Sequence, residues 1–123
     1  MNVLLWVLQI LLALAFFAAG GLKATQPKDK LEEKLSWTED FPLWFVRAIG
    51  YVELLGAAGL ILPAVTGILP VLTPVAAVGL ALTMLGAMVV HIRRKEPGML
   101  VLNIVLCAMA VVVAWGRFGP HPL

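Results

Sequence analysis

Six polar residues could carry chemistry, because each lies within or at the end of a long apolar segment. They are Gln9, Lys23, Arg47, Glu53, His91 and Asn103. Carboxyl, amine and imidazole groups can exchange protons or hold a polar ligand, and amides can donate and accept hydrogen bonds. An ionised side chain near the centre of a bilayer costs about 2.5–3.5 kcal/mol on insertion scales. Inside a membrane, each charged group therefore needs a partner, a change of protonation or a polar ligand.

Glu53 is the most deeply placed of these residues. It lies about ten residues into its apolar segment, which puts it about 15 Å deep at 1.5 Å per helical residue. At about 100° per residue, its helix face also carries Gly50, Gly56 and Ala57, and Leu55 lies opposite. Small residues allow helices to approach closely and leave room for a cavity. The sequence leaves two interpretations open: a carboxyl that only joins helices, and a group that holds a ligand or exchanges protons.

The two basic residues nearest to Glu53 are not expected to contact it. Arg47 lies six residues earlier, about 120° around the same helix, so we expect it to extend to the lipid headgroups. Lys23 ends a stripe of the first segment that includes Gln9 and Gly20 and could face Glu53. Its backbone should lie about 15 Å nearer the membrane edge. We therefore expect water or a bound headgroup to bridge the two, since direct contact would require a longer or shifted first helix.

His91 and Asn103 complete the polar set, on the third and fourth apolar segments. His91 ends a helical stripe and is consistent with a headgroup contact or a ligand contact, and Asn103 shares a face with Cys107. Since each segment offers an inward polar residue, the pattern predicts a polar pocket with Glu53 at its base, and it places Gln9 in the opposite half. With a single cysteine and no nucleotide motif, the chain is assigned no catalytic residue and no metal site.

The elements that must position these residues are four apolar segments of near-spanning length. They cover residues 3–22, 43–62, 70–91 and 99–115. Hydrophobic residues make up 62% of the chain and charged residues 13%, with a mean hydropathy of +1.00, which excludes a water-soluble domain. The basic residues are not interleaved with aromatics, which argues against a nucleic-acid partner. The sequence predicts an all-α fold, a single membrane domain over residues 1–123 built as a bundle of four transmembrane helices.

The distribution of charge predicts how the bundle crosses the membrane. Of the nine Lys and Arg residues, only Arg117 falls outside the first and third loops and their flanks. Short loops rich in Lys and Arg stay in the cytoplasm, so we expect loops one and three to be cytoplasmic and both termini outside. Leu31 and Leu35 predict a short amphipathic segment in the first loop, on the cytoplasmic side. Trp37 and Trp44 follow and are typical of an interfacial aromatic belt.

The order of four features resembles the DoxX family, in particular its short bacterial DoxX-like branch. These features are the sequence at 19–23 that closes the first segment, the sequence at 47–53 with its glycine and carboxyl, the Pro63 to Pro74 turn, and His91 at the end of the third segment. The resemblance spans nearly the whole chain. It implies a four-helix protein of the bacterial cytoplasmic membrane. The family's name comes from a quinone-linked oxidase, and other members are described as accessory parts of redox complexes.

Two classes of function remain open from the sequence. The first is a non-catalytic binding or accessory protein that holds a small hydrophobic ligand, such as a quinone or lipid, or docks on a membrane redox complex; a homo-oligomer is a further possible assembly. The second is a small transporter or enzyme that uses Glu53 to exchange protons. Haem is not expected, because axial ligation across a bundle needs paired side chains and His91 is the one histidine in the spans. No cofactor is assigned beyond a candidate quinone or lipid.

Overall fold

The computed structural model describes residues 2–122, apart from the side chain of Ser36, and this part of the chain is almost entirely helical. Its elements are α1 (Asn2–Thr25), α2 (Lys28–Lys34), a short 3₁₀-helix (Ser36–Asp40), α3 (Leu43–Thr66), α4 (Leu72–Arg93) and α5 (Pro97–Phe118). No strand occurs within residues 2–122. The predicted all-α fold is confirmed.

Four of these helices, α1, α3, α4 and α5, are long and apolar enough to span a membrane. They contain 22 to 24 residues each, so they measure about 33–36 Å against a hydrocarbon core of about 30 Å. Large apolar side chains cover their outer surface, and Phe17, Leu55 and Leu82 each expose more than 60% of their area. In lipid such exposure costs nothing, because the surrounding acyl chains are as apolar as the side chains. The predicted bundle of four transmembrane helices is confirmed.

The second apolar segment was expected to end at residue 62, before the Pro63 to Pro74 turn, but α3 continues through Pro63 to Thr66. A proline inside a helix has no N–H to donate, which leaves the carbonyl four residues earlier without its helical partner. Here the Thr73 hydroxyl of α4 donates to that carbonyl, on Gly59, at 3.1 Å. The helix ends at Thr66 and is capped by Gly67, whose φ of 73° is the left-handed conformation that glycine adopts without strain.

Close contacts at small residues set the spacing of the helices, which form a ring in the order α1, α3, α4, α5. We call the end that carries α2 and the α4–α5 connection the loop end, and the end where α1 begins the terminal end. Near the loop end, α1 and α3 touch so closely that a Cβ added at Gly20 would lie 2.7 Å from the carbonyl oxygen of Gly50. Toward the terminal end α3 touches α4, where a Cβ at Gly59 would lie 2.8 Å from Cβ of Ala76. There α5 also meets α1, with Gly116 against Leu5.

These contacts leave the bundle wider at the loop end than at the terminal end. The close contacts between the α1–α3 pair and the α4–α5 pair lie toward the terminal end. Residues 26–42, between α1 and α3, cover the loop-end space and form the covering segment. In this segment Leu31 is fully buried and packs with Trp37 and with Val46 of α3. The predicted amphipathic segment therefore rests on the bundle itself. Trp44 is 72% exposed, as a belt residue would be, but Trp37 is 9% exposed, so its assignment to an aromatic belt was wrong.

Candidate functional site

The space at the loop end is a partly open cavity of about 550 Å³ that all four long helices and the covering segment line. Its walls are mostly aliphatic and aromatic. Four of the six polar residues singled out from the sequence line it, one from each long helix. They are Lys23, Glu53, His91 and Asn103. The other two, Gln9 and Arg47, do not line the cavity.

Lys23 and Glu53 form a direct ion pair at the wall of the cavity. The Lys23 ammonium nitrogen lies 2.5 Å from Oε1 of Glu53, and the two residues are 9% and 1% exposed. The expectation that water or a headgroup would bridge them was wrong. A Cβ at Gly50 would lie 2.9 Å from Cβ of Lys23, so Lys23 is level with Gly50 and only about one helical turn from Glu53. The glycine contact between α1 and α3 sets this register.

Two further residues contact Lys23 on its loop-end side, namely Trp37 and Arg47. The Trp37 ring centroid is 5.7 Å from the Lys23 ammonium, within range of a cation–π interaction. Arg47 is half-buried and donates from Nη1 to the backbone carbonyl of Lys23 at 3.0 Å. This carbonyl belongs to the last turn of α1, where helical carbonyls lack intrahelical donors. Arg47 thus caps the C-terminal end of α1. The sequence had favoured contact with lipid headgroups for this residue and did not predict a contact within the protein.

His91 is 3% exposed and faces the protein, so the headgroup interpretation was wrong. Its Nδ1 lies 3.0 Å from Oε1 of Glu96, in the connection between α4 and α5. The adjacent Arg94 donates to Asp40 and, at 3.1 Å, to Glu39, both in the 3₁₀-helix that covers the cavity. The hydrogen bonds to Asp40 and Glu39 raise the pKa of the Arg94 guanidinium, so Arg94 stays charged. The α4–α5 connection and the covering segment are therefore joined across the loop end.

Asn103 is the polar residue of the cavity whose bonding is incomplete. It is 6% exposed, and its Nδ2 has no hydrogen-bond partner within the described residues. Buried amide groups are nearly always bonded, and leaving a buried donor unmet costs about 1–3 kcal/mol. Because Asn103 lines the cavity, an acceptor oxygen that comes within hydrogen-bond distance of Nδ2 would meet this donor. The site can thus hold a ligand that presents a carbonyl or ether oxygen.

Gln9 lies at the terminal end, in a separate polar cluster. Its Nε2 donates to the carbonyl of Leu60 at 2.8 Å, and its Oε1 accepts from Nε of Arg117 at 2.7 Å. Arg117 is 3% exposed, whereas the sequence interpretation had counted it only as the one basic residue on the opposite side of the membrane from the first and third loops. Helical periodicity contains the missing signal, because Arg117 lies 14 residues after Asn103, almost four full turns, and so on the same inward face.

Four long apolar helices around a largely apolar cavity with four polar residues in its wall define a small multi-pass helical membrane protein. The model of the DoxX-like family matches residues 7–113, nearly the whole chain, and the protein belongs to this family. The resemblance noted in the sequence is therefore confirmed. No curated protein and no solved structure matches the chain significantly.

Proposed function

We propose that this protein binds a small hydrophobic molecule with an uncharged, acceptor-bearing head, such as a quinone or a lipid, in the loop-end cavity. The observation that carries the proposal is the unmet Nδ2 of Asn103, a residue that lines a largely apolar cavity of about 550 Å³. Pockets for small molecules usually measure about 300–1,000 Å³ and combine apolar walls with a few placed polar groups. In this proposal the protein acts as a binding or accessory subunit for a membrane redox partner.

An uncharged head suits the charge balance of the site. Lys23 and Glu53 neutralise each other at contact distance, and His91 already has the Glu96 carboxylate beside it. A charged ligand would therefore enter the cavity without a free counter-charge, and desolvating it would oppose binding. Quinone and ester carbonyls are neutral acceptors, and their tails would fill the apolar part of the cavity. These features favour a neutral carbonyl ligand over an anion or a cation.

Replacing the unmet donor tests the ligand proposal. We expect Asn103→Leu to retain about tenfold less of the molecule that co-purifies with the wild type, because one hydrogen bond of about 1–1.5 kcal/mol is lost. Its thermal stability without ligand should equal or exceed that of the wild type, since an unmet buried donor is removed, leucine keeps the branched shape of asparagine, and the adjoining cavity has room for its larger methyl groups. Native mass spectrometry and chromatography of organic extracts measure retention.

The matched control is Ile104→Leu, a conservative change at a neighbouring side chain that is 48% exposed on the outer surface. It should retain the ligand at the wild-type level. Equal retention in Asn103→Leu and the wild type, in protein that is folded by the same thermal criterion, would remove the basis of the proposal. Loss of ligand in both variants would point to general disruption of the bundle instead.

We further propose that the protein lies in the bacterial cytoplasmic membrane with the loop end in the cytoplasm and both termini outside. Support comes from eight of the nine Lys and Arg residues, which cluster at the loop end, whereas Arg117 is at the terminal end. Alkaline phosphatase, which is active only outside the cytoplasm, should be active when fused after Leu123 and inactive when inserted near Lys30. Green fluorescent protein should give the inverse pattern. Inactive phosphatase after Leu123 together with active phosphatase near Lys30 would reverse the orientation.

A further inference from the structure

The terminal end holds a buried cation that the proposed function does not use. Arg117 lies in the last turn of α5 and is 3% exposed. Its Nε donates to Oε1 of Gln9 at 2.7 Å, and its Nη1 donates to Oδ1 of Asn2 at 2.6 Å and to the carbonyl of His121 at 3.1 Å. Its Nη2 is buried and has no hydrogen-bond partner within residues 2–122. Half of the guanidinium fork is thus left without an acceptor.

Within residues 2–122 the acceptors around Arg117 are all neutral, and no side-chain carboxylate lies near it. Of the seven Asp and Glu residues, Glu53 is the one within a long helix, and it pairs with Lys23. Lys23 lies fourteen residues, or about 21 Å, further along α1 than Gln9, which contacts Arg117. The other six belong to the loop end, namely Asp29, Glu32, Glu33, Glu39, Asp40 and Glu96. Arg117 is therefore a buried charge without a side-chain counter-charge.

Two features stabilise the positive charge but do not satisfy Nη2. The C-terminal end of a helix carries a partial negative charge, which favours a cation in the last turn of α5. The Trp6 ring centroid lies 5.7 Å from the guanidinium carbon of Arg117, which permits a cation–π interaction. Neither contact supplies an acceptor in the plane of the guanidinium, where Nη2 donates. The position in this plane beside Nη2 therefore remains open to an oxyanion.

We propose that Arg117 binds a phosphate oxyanion at the terminal end, supplied by the headgroup of a phospholipid, with Nη1 and Nη2 each donating to one phosphate oxygen. The planar fork of arginine matches phosphate in this bidentate geometry. The last turn of a spanning helix lies at the depth of the headgroups. The amide oxygen of Asn2 occupies Nη1, and Asn2 is an exposed residue at the start of α1, so it can move aside when the phosphate binds.

The test compares probes that differ in phosphate and acyl chains. The protein carries an uncharged Gly-Ser extension after Leu123, which removes any chain-end carboxylate from the site. It is purified in a neutral detergent and titrated with phosphatidylglycerol, the matching diacylglycerol or inorganic phosphate. Thermal unfolding and native mass spectrometry report binding. We expect saturable stabilisation by phosphatidylglycerol in excess of any that diacylglycerol gives through its ester carbonyls in the loop-end cavity, and this excess is the stabilisation that the variants should change. Arg117→Gln should bind phosphatidylglycerol at least about tenfold more weakly, because charge-assisted hydrogen bonds are lost.

Asn2→Asp keeps the test decisive if Arg117→Gln fails to fold. This change supplies a carboxylate at the atom that already accepts from Nη1, so the variant should be more stable without lipid and should lose the stabilisation by phosphatidylglycerol. Asn103→Leu, at the other end of the bundle, should keep that stabilisation, which separates this site from the loop-end cavity. Equal stabilisation by inorganic phosphate would support the oxyanion site with free phosphate as its source. A wild-type response in Asn2→Asp, or equal effects of phosphatidylglycerol and diacylglycerol, would overturn the proposal.

Discussion

Removing one charge of the Lys23–Glu53 pair should destabilise the bundle strongly, and removing both should restore most of the stability. Each single change leaves an uncompensated charge in a buried site, which costs about 3–5 kcal/mol. Lys23→Met should be the more damaging single change, because the remaining Glu53 carboxylate is 1% exposed and cannot reach water. In Glu53→Gln the Lys23 side chain, which is 11% exposed and near the loop end, can extend toward the headgroups. The double variant Lys23→Met with Glu53→Gln should fall within about 1–2 kcal/mol of the wild type.

Denaturation of the four proteins in one detergent measures this coupling. The free-energy changes of the two single variants should sum to several kcal/mol more than that of the double variant, as expected for groups in direct contact. Strict additivity would mean that the two charges do not act as a pair. Ligand retention supplies a second readout. If the double variant folds and retains as much ligand as the wild type, the ion pair serves only to join α1 and α3. The polar contact with the ligand then comes from Asn103.

The helices themselves followed from the sequence, because a bilayer imposes a length and an apolar composition that hydropathy reveals directly. The boundary after α3 did not, since it depends on a tertiary contact. Proline normally signals the end of a helix. At Pro63 the helix continues, because the Thr73 hydroxyl donates to the Gly59 carbonyl in place of the N–H that proline lacks. The hydroxyl comes from another helix, so no local pattern in α3 reveals it.

The inward faces of the polar residues could also be predicted, but their mutual heights could not. Periodicity fixes the face on which Glu53 or Asn103 lies, and both line the same cavity. The height of Lys23 relative to Glu53 depends on how two helices slide along each other, which the contact of Gly20 with Gly50 decides. Counting residues from the ends of the apolar segments therefore separated two side chains that are in contact. The cavity depends in the same way on where helices touch.

The contact between α1 and α3 makes the two neighbouring glycines of α1 a stringent pair of variants. We expect Gly20→Ala to lower stability by about 1–3 kcal/mol or more, because its Cβ would lie 2.7 Å from the backbone oxygen of Gly50 and 3.0 Å from the backbone nitrogen of Leu54. Backbone atoms cannot rotate away, so the helices must separate and the Lys23–Glu53 pair must lengthen. Gly21→Ala meets no atom within 4 Å and should be neutral or slightly stabilising through its helix propensity.

Gly56→Ala should fall between these two variants. Its nearest neighbours are Cδ2 and Cγ of the Leu80 side chain, at 2.6 and 2.7 Å, and a leucine can change rotamer where a backbone cannot. Unfolding midpoints measured in one detergent should therefore rank Gly20→Ala lowest, Gly56→Ala next and Gly21→Ala level with the wild type. The ligand content of Gly20→Ala should fall along with its stability, because the same contact sets the register of the cavity wall. Equal midpoints for Gly20→Ala and Gly21→Ala would show that α1 and α3 do not meet at Gly20 and Gly50. The register of α1 against α3, and the cavity wall that depends on it, would then be wrong.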